Sequence, residues 1–540
     1  MLILSTKNSV APVLYPAGED TVLMRAARLW DTFFRERGQE VVKSKDGKKP
    51  EFPVKGAVIA FETETNCPLA KEIGLDLSKL EDARDEAHVI TARLWKGSPL
   101  VLIVGKTVEG TDAGAAYLLS KVVCEIDDNR NIWTVSCPLI NIFRQPFFRG
   151  REATLCPTGR VQGPESKVNY ENWEKTRLEQ YPVYLKNCGF NSVQLMELII
   201  YNASSGSWLG GYRGGAQGKT IEEIQQVLYT LSDAAHAAGL SVSQYIWGSP
   251  ADGYKWADPN TRPLREEFYR ELARRYGTKI DHIITHWVDE GHERGFHTPL
   301  EATSFIYREY QKYNPKVKVT CDTWFNPGLY DGIEDEKYAP KEVAIAIERW
   351  YNDARAEQIA KTERKIGIWG WYLSDFEMTY GSHLYAKTLD KYFAELPELA
   401  NELVDWISLE QCFHALPSQI NLYIVGRKMW EPKTPLAEIM LDYCRSVYGQ
   451  ANAEIMKRVY ETVEEGQTEV RYGMVQKDRY PQVLGTEEFR NKVNAVLEDM
   501  KRVILPAGWK PNFTTMSTPQ EDFDYLKNEL ETFSNTPVKK

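Results

Sequence analysis

The sequence predicts an α/β protein organised around a central (β/α)8 barrel, or TIM barrel, with an N-terminal α/β domain and a C-terminal α-helical domain. Three observations predict this. The chain has 540 residues, too many for one hydrophobic core and enough for roughly two to four domains. From about residue 141, short apolar runs that read as strands alternate with longer runs of helical periodicity. Eight such units fit into about 280 residues, the usual size of such a barrel. Past Gln411 the strand signals stop and only helical periodicity remains. The divisions read as residues 1–140, 141–428 and 429–540.

In the first domain, Met24 to Arg37 carries Ala27, Leu29, Trp30, Phe33 and Phe34 at helical spacing. Val58 to Phe61, His88 to Ile90 and Leu100 to Val104 read as strands, and Gly110 to Val123 as a helix rich in small residues. Barrel strands are expected near Phe147–Arg149, Ser192–Leu198, Ser241–Trp247, His282–Asp289, Lys318–Thr323, Val343–Glu348, Ile366–Leu373 and Val404–Leu409. Helices between them include Trp173–Lys186, Ile221–Ala238 and Leu264–Tyr276. Gly218-Lys219-Thr220 opens one of these, but the first glycine of a phosphate loop would fall at Arg213, so Thr220 reads as a helix N-cap instead. The glycine-rich stretch before it, 203–218, reads as a loop over the barrel mouth. Leu436–Val447, Ala453–Glu465, Glu488–Val503 and Asp522–Phe533 read as the four helices of the tail.

Composition narrows the function. A net charge of -10 with no basic run argues against a nucleic-acid partner, whose phosphates are bound by Lys and Arg. The eight cysteines are dispersed, without the short spacing of a zinc or redox motif, and several lie in apolar runs that suit core thiols. Only three apolar residues precede Lys7 after Met1, and no later run is long enough to span a bilayer. The expectation is a soluble protein, either cytoplasmic or secreted or periplasmic with its signal peptide removed, needing no cofactor. Its 15 Trp and 29 Tyr exceed what a core of this size needs. Most are half-buried structural residues, and the surplus suits stacking on sugar rings.

Barrel enzymes carry their chemistry at the C-terminal ends of the strands. Those positions hold Arg149, Glu197, Trp247, Asp289 with Glu290 and His292, Asp322 with Trp324, Glu348 with Trp350, Trp371 with Asp375 and Glu377, and Glu410 with His414. Carboxylates and tryptophans dominate, and no Ser or Cys nucleophile appears among them. Glycosidic cleavage requires one carboxyl group protonated to expel the leaving oxygen and another to stabilise positive charge on the sugar. The mouth fits that work better than acyl or phosphoryl transfer. Its sharpest motif is His286-Trp287-Val288-Asp289-Glu290-Gly291-His292, where two adjacent carboxylates push one pKa upward and keep an acid protonated near neutral pH.

His282 and His286 lie roughly 13 Å apart along an extended strand, too far to share one ion, so no metal is expected, and a site of His292 with Asp289 or Glu290 is the alternative. Trp369 reads as barrel-interior filling and Trp371 as a sugar platform. Glu197 and Glu348 read equally as substrate contacts or as buried partners of Arg149 and Arg349.

The stretches Ile103-Val104-Gly105-Lys106 and Gly114-Ala115-Ala116-Tyr117-Leu118-Leu119 resemble the non-catalytic first domain of glycoside hydrolase family 20 hexosaminidases, a layout shared with families 84 and 67. Phe148-Arg149-Gly150 resembles the first barrel strand of those families, whose arginine binds the terminal sugar. Asp289-Glu290 is similar to the family 20 pair, in which Asp orients the substrate acetamido group and Glu is the general acid/base. The last third, through Trp371-Tyr372, Glu410, Trp430-Glu431-Pro432 and Leu441-Asp442-Tyr443, resembles proteins related to family 163, associated with endo-acting cleavage in N-glycans. The sequence departs from family 20 in placing Trp287-Val288, not Gly-Gly, before Asp289.

The resemblance implies a retaining β-N-acetylhexosaminidase-like or endo-β-N-acetylglucosaminidase-like enzyme acting on an oligosaccharide or glycan. Glu290 is its acid/base, Asp289 steers the acetamido nucleophile, Arg149 anchors the sugar, and Trp350 and Trp371 line the subsite. Two alternatives stay open. Glu290 with Glu410 or Glu348 could act as a protein carboxylate pair on another sugar, for example a glucuronoside held by Arg149. The barrel could also bind carbohydrate without turning it over.

Overall fold

The computed structural model describes residues 1–6, 9–44, 47–126, 132–155, 170–196, 199–202, 207–210, 220–247, 256–286, 297–322, 340–348, 353–370, 384–396, 399–410, 419–471 and 483–538. At its centre eight parallel strands close a barrel: β1 (Gly150–Leu155), β2 (Ser192–Met196), β3 (Ser241–Trp247), β4 (His282–His286), β5 (Lys318–Asp322), β6 (Val343–Glu348), β7 (Ile366–Gly370) and β8 (Val404–Glu410). Each pairs with the next, and β8 returns to β1 with Thr154 opposite Glu410. Strand residues alternate between the two faces. Outward ones such as Ala153, Val193, Ile283, Ile345 and Ile368 pack with the surrounding helices in the largest apolar cluster. The buried residues between them, including Glu152, Thr154, Gln194, Ser243, Tyr245 and Ser408, fill the barrel interior, which is therefore polar. Lower in the barrel the Trp406 indole lies edge-on to His282, ring centroids 5.1 Å apart. A Cβ at Gly150 or Gly367 would overlap Trp406, so those two positions admit only glycine without rearrangement.

Seven strands begin at the residues that periodicity predicts, and β1 does not. The apolar pair Phe147-Phe148 is not a strand. Its amides donate to the carbonyls of Trp430 and Met429, at the end of the helix Gln419–Trp430. The true first strand follows it, disguised by the polar Glu152 and Thr154, which turn into the barrel, and by Arg151, which faces outward onto Trp430. The helices Lys175–Cys188 and Ile221–Ala238 come after β1 and β2, and each stops at a left-handed glycine, Gly189 (φ 109) and Gly239 (φ 78). Thr220 caps the second helix reciprocally with Glu223, as its sequence position suggests.

Ahead of the barrel, a six-stranded sheet runs in the order Val42–Lys43, Val13–Pro16, Val58–Thr63, Ser98–Gly105, His88–Trp95, Ile140–Arg144. The first four strands are parallel, His88–Trp95 runs against them, and Ile140–Arg144 pairs antiparallel with it and so runs with the first four. The helices Thr21–Arg35 and Val108–Leu119 cover one face of it. A separate three-stranded sheet joins Leu2–Thr6, Ile132–Cys137 and Val123–Ile126. These elements are tied to the rest of the chain by ion pairs. Arg144 pairs with Glu431 at 3.0 Å, Arg151 with Glu86 at 2.7 Å, and Lys121 with Asp442. The guanidinium groups of Arg144 and Arg151 also stack on Trp430, 5.1 and 4.6 Å from its ring.

After the barrel come the helices Leu436–Tyr448, Ala453–Arg471, Glu487–Met500 and Pro519–Asn535. At their centre the fully buried Asp522 accepts hydrogen bonds from Gln419 Nε2 (2.6 Å), Tyr460 OH (3.1 Å), Tyr448 OH (3.3 Å) and Ser517 Oγ (3.3 Å). Burial pushes its carboxyl up to about 7, beyond what those donors restore.

Candidate active site

The C-terminal ends of the strands define one mouth. Trp247, Glu348 and Glu410 are the last residues of β3, β6 and β8, as the sequence suggests. Glu197, Asp289, Glu290, His292, Trp324, Trp350 and Trp371 follow strand ends closely in sequence and lie outside the described residues. Arg149 requires a correction. It precedes β1, so it stands at the N-terminal end of the barrel, opposite the mouth. There its side chain is 67% exposed and lies 3.8 Å from Asp405, near the start of β8. The displacement of the first strand by a few residues carried Arg149 from one end of the barrel to the other.

Below the mouth the inward side chains form a shaft joined partly by hydrogen bonds and partly by ring contacts. His286 Nδ1 and Asp322 Oδ2, at the ends of β4 and β5, are 2.6 Å apart and fully buried. With Asp322 ionised, Nδ1–H is the donor, which fixes the imidazole ring. His286 leans on Tyr245 and Trp369, ring centroids 5.7 and 5.8 Å away, and those two stack on each other at 4.6 Å with 14° between planes. The Trp369 indole donates to Gln194 Oε1 at 3.0 Å, which also receives Thr154 Oγ1 at 3.2 Å. Gln194 Nε2 in turn donates to Glu152 at 2.7 Å.

Glu152 also accepts from Ser192 at 2.9 Å and from Ser243. Burial pushes its carboxyl above the ordinary range, against the serine and glutamine donors that favour the ionised form. His282 sits in the same lower layer, 2.8 Å from Thr320, and burial holds its pKa down to about 3. It is neutral at physiological pH and cannot serve as a general acid there. The two strand histidines thus have separate partners, and among the described residues no three potential metal ligands come together. Trp369 is fully buried inside the barrel, the filling role expected of it.

Sequence reasoning overlooked Gln194, Tyr245 and the His286–Asp322 pair. The available signal was polar residues recurring every second position inside apolar strands: Glu152 and Thr154, Ser192 and Gln194, Ser243 and Tyr245. Cys67, Cys124, Cys137, Cys188, Cys321 and Cys444 are buried free thiols, and Cys156 and Cys412 lie outside the described residues. Burial pushes Cys137, Cys188 and Cys321 up to about 12, which removes them as nucleophiles. No helix among the described residues is long and apolar enough to cross a membrane.

An eight-stranded parallel barrel behind an α/β unit and before a helical tail is an architecture seen in solved carbohydrate-active enzymes. The fold is similar to that of a GH138 enzyme targeting pectin rhamnogalacturonan II, with TM-score 0.61 and 12% identity over 97% of this chain and 85% of that one. It is similar to the protein CpGH84B, with TM-score 0.59 and 12% identity over 98% and 88%. A GH115 4-O-methyl-α-glucuronidase with specificity for decorated arabinogalactans gives TM-score 0.59 and 11% identity over 98% and 73%. No protein-family model and no curated protein sequence matches the chain. At these identities the likeness establishes the fold, a multi-part α/β protein with a central TIM barrel.

Proposed function

We propose that the protein is a glycoside hydrolase working at the C-terminal mouth of its barrel, with Glu290 as general acid/base. The observation that carries this reading is the concentration of carboxylates at strand ends. Asp322, Glu348 and Glu410 close β5, β6 and β8, and Asp289-Glu290 follows β4 in sequence. Such a set supplies the protonated and ionised carboxyl groups that acetal cleavage needs. The likeness of the whole layout to glycoside hydrolases of three families supports it. The substrate is a glycan. Trp247, Trp324, Trp350 and Trp371 offer ring faces to it, and Glu197, His292, Glu348 and Glu410 offer hydrogen bonds.

The finer reading is retaining hydrolysis of an N-acetylhexosamine-containing glycan, with Asp289 steering the substrate's acetamido oxygen onto the anomeric carbon. The order Asp-Glu after the fourth strand supports it. A carboxylate pair of Glu290 with Glu348 or Glu410 is the second reading, favoured by the position of both glutamates as terminal strand residues. Its uronate version loses the anchor expected of it, since Arg149 stands at the opposite end of the barrel.

A panel of aryl glycosides, with and without the N-acetyl group, tests the class when followed by product stereochemistry. Glu290→Gln is expected to fold and to lose about a hundredfold or more in rate, less so on very acidic leaving groups. Near-native turnover of a poor leaving group by that variant removes Glu290 from its role.

A further inference from the structure

We propose that the C-terminal helices position the mouth of the barrel, by holding the far ends of the segments that leave β7 and β8. Residues 371–383 join β7 to the helix Ala386–Ala394 and carry Trp371, Asp375 and Glu377. Residues 411–418 join β8 to the helix Gln419–Trp430 and carry His414. In a barrel of parallel strands each such helix starts on the mouth side. Whatever fixes its first turn therefore fixes one end of the segment before it.

The first amides of a helix have no partner within the helix. Ile221–Ala238 meets this need locally, through the box of Thr220 and Glu223. Ala386–Ala394 has Tyr385 at its N-cap, and the tyrosine side chain makes no capping hydrogen bond. Side chains from later in the chain take over. Leu384 N donates to Gln467 Oε1 at 3.1 Å, Tyr385 N to Asn421 Oδ1 at 3.0 Å, and Lys387 N to Glu464 Oε1 at 2.9 Å. Glu464 and Gln467 lie three residues apart on one face of Ala453–Arg471, the same spacing as the two amides they meet. All three acceptors are buried. The neighbouring segment is held in the same way. Gln419, the first residue of its helix, accepts from Met516 N at 3.0 Å and donates to Asp522 at 2.6 Å. Apolar contact alone would cover the barrel helices, whereas directional bonds to backbone amides also set where they begin. The consequence for substrate rests on the hydrolase reading, in which Trp371 lines the subsite.

The test compares two changes at Gln467. Gln467→Met keeps the side-chain length and removes the acceptor. The swap Gln467→Glu with Glu529→Gln keeps an oxygen for Leu384 N and preserves the hydrogen bond between 467 and 529. On the aryl glycoside that the wild type turns over fastest, Gln467→Met should raise KM about tenfold, the equivalent of one hydrogen bond, with kcat within about twofold. The swapped pair should restore the wild-type KM. A purely structural tail would instead lower kcat through loss of folded enzyme and leave KM alone. That result overturns the proposal, as does a KM that the swap fails to restore. Hydrogen–deuterium exchange at amides 384–388 gives a reading independent of turnover. It should quicken about tenfold in Gln467→Met and stay native in the swapped pair, and unchanged protection in Gln467→Met overturns the proposal. A wild type that cleaves no glycoside refutes the hydrolase reading alone, because the amide rates still decide whether the tail holds this end of the mouth. Thermal melts establish that each variant is folded, and should Gln467→Met not fold, Glu464→Met is read in the same way at Lys387.

Discussion

Replacing Asp522 by Asn should make the protein more resistant to alkaline conditions, and the size of the effect follows from the burial of one carboxyl group. Asp522 is raised to about 7 in the folded chain, whereas an Asp in the unfolded chain titrates near 3.9. Below pH 4 both states hold the proton and the group is neutral in its effect. Between pH 4 and pH 7 the unfolded chain releases the proton and the folded chain keeps it, so stability falls as pH rises. At about 1.4 kcal/mol per unit, the span from pH 5 to pH 8 should cost the wild type about 2–3 kcal/mol. The raw pH profile will not display this alone. His88 and His282 are buried with pKa values pushed down to about 3, so they contribute stability above about 6.5 that is lost as pH falls. The difference between wild type and Asp522→Asn cancels those contributions. Urea unfolding followed by circular dichroism at pH 5, 6, 7 and 8 measures it. The variant should match or trail the wild type at pH 5 and gain on it steadily to pH 8. A difference that stays constant across that range refutes the burial argument.

Three further outcomes follow from the barrel. If the substrate's acetamido group is the nucleophile, Asp289→Asn should cost about as much as Glu290→Gln, and a thiazoline mimic of the cyclised intermediate should inhibit strongly. If protein carboxylates do the work, Asn at 289 should cost modestly, the mimic should bind poorly, and the pH optimum should fall as like-charge repulsion on Glu290 is removed. Extensive dialysis against EDTA should leave activity unchanged, and loss restored by a divalent ion would return His292 to a metal-binding role. Gly367→Ala should lower stability by about 1–3 kcal/mol in a denaturant titration, because its methyl group overlaps the Trp406 indole; an unchanged midpoint would mean the indole moves freely.

The barrel was legible because its strands are buried on their outer faces by helices, which places mostly apolar residues in every second position of seven of them, with Gln244 and Thr285 the polar exceptions that bond Tyr310 and Thr303 on a helix. β1 escaped because the eye is drawn to Phe147-Phe148, which is apolar for a different reason: it packs at the foot of the helix Gln419–Trp430. A shift of three residues is small in a list of strands. For Arg149 it spans the height of the barrel, since strand direction converts sequence offset into distance. Trp247, Glu348 and Glu410 were readable as strand ends because apolar runs stop there. The pairing of His286 with Asp322 was not, because it joins β4 to β5 and no spacing within one strand encodes which neighbour lies alongside. Likewise Gln194 reaches Glu152, Thr154 and Trp369 across sheet neighbours and the barrel interior, contacts that only closure of the barrel creates.

Arg151 is fully buried in β1, and its only carboxylate partner among the described residues is Glu86, contributed by the first part of the chain. Arg84 reaches the same region, donating to the carbonyls of Pro146, Phe147 and Asn401. The foot of the barrel is therefore finished by residues translated long before any barrel strand. A fragment starting near residue 145 would lose Glu86 together with Ala113, Ala116 and Tyr117, which border Arg151, and would leave its guanidinium on the carbonyls of Phe148, Arg149 and Gly189. Trimming this protein to its barrel therefore strips Arg151 of its carboxylate and of part of its cover in one cut, so the leading 140 residues act as a half of the mould.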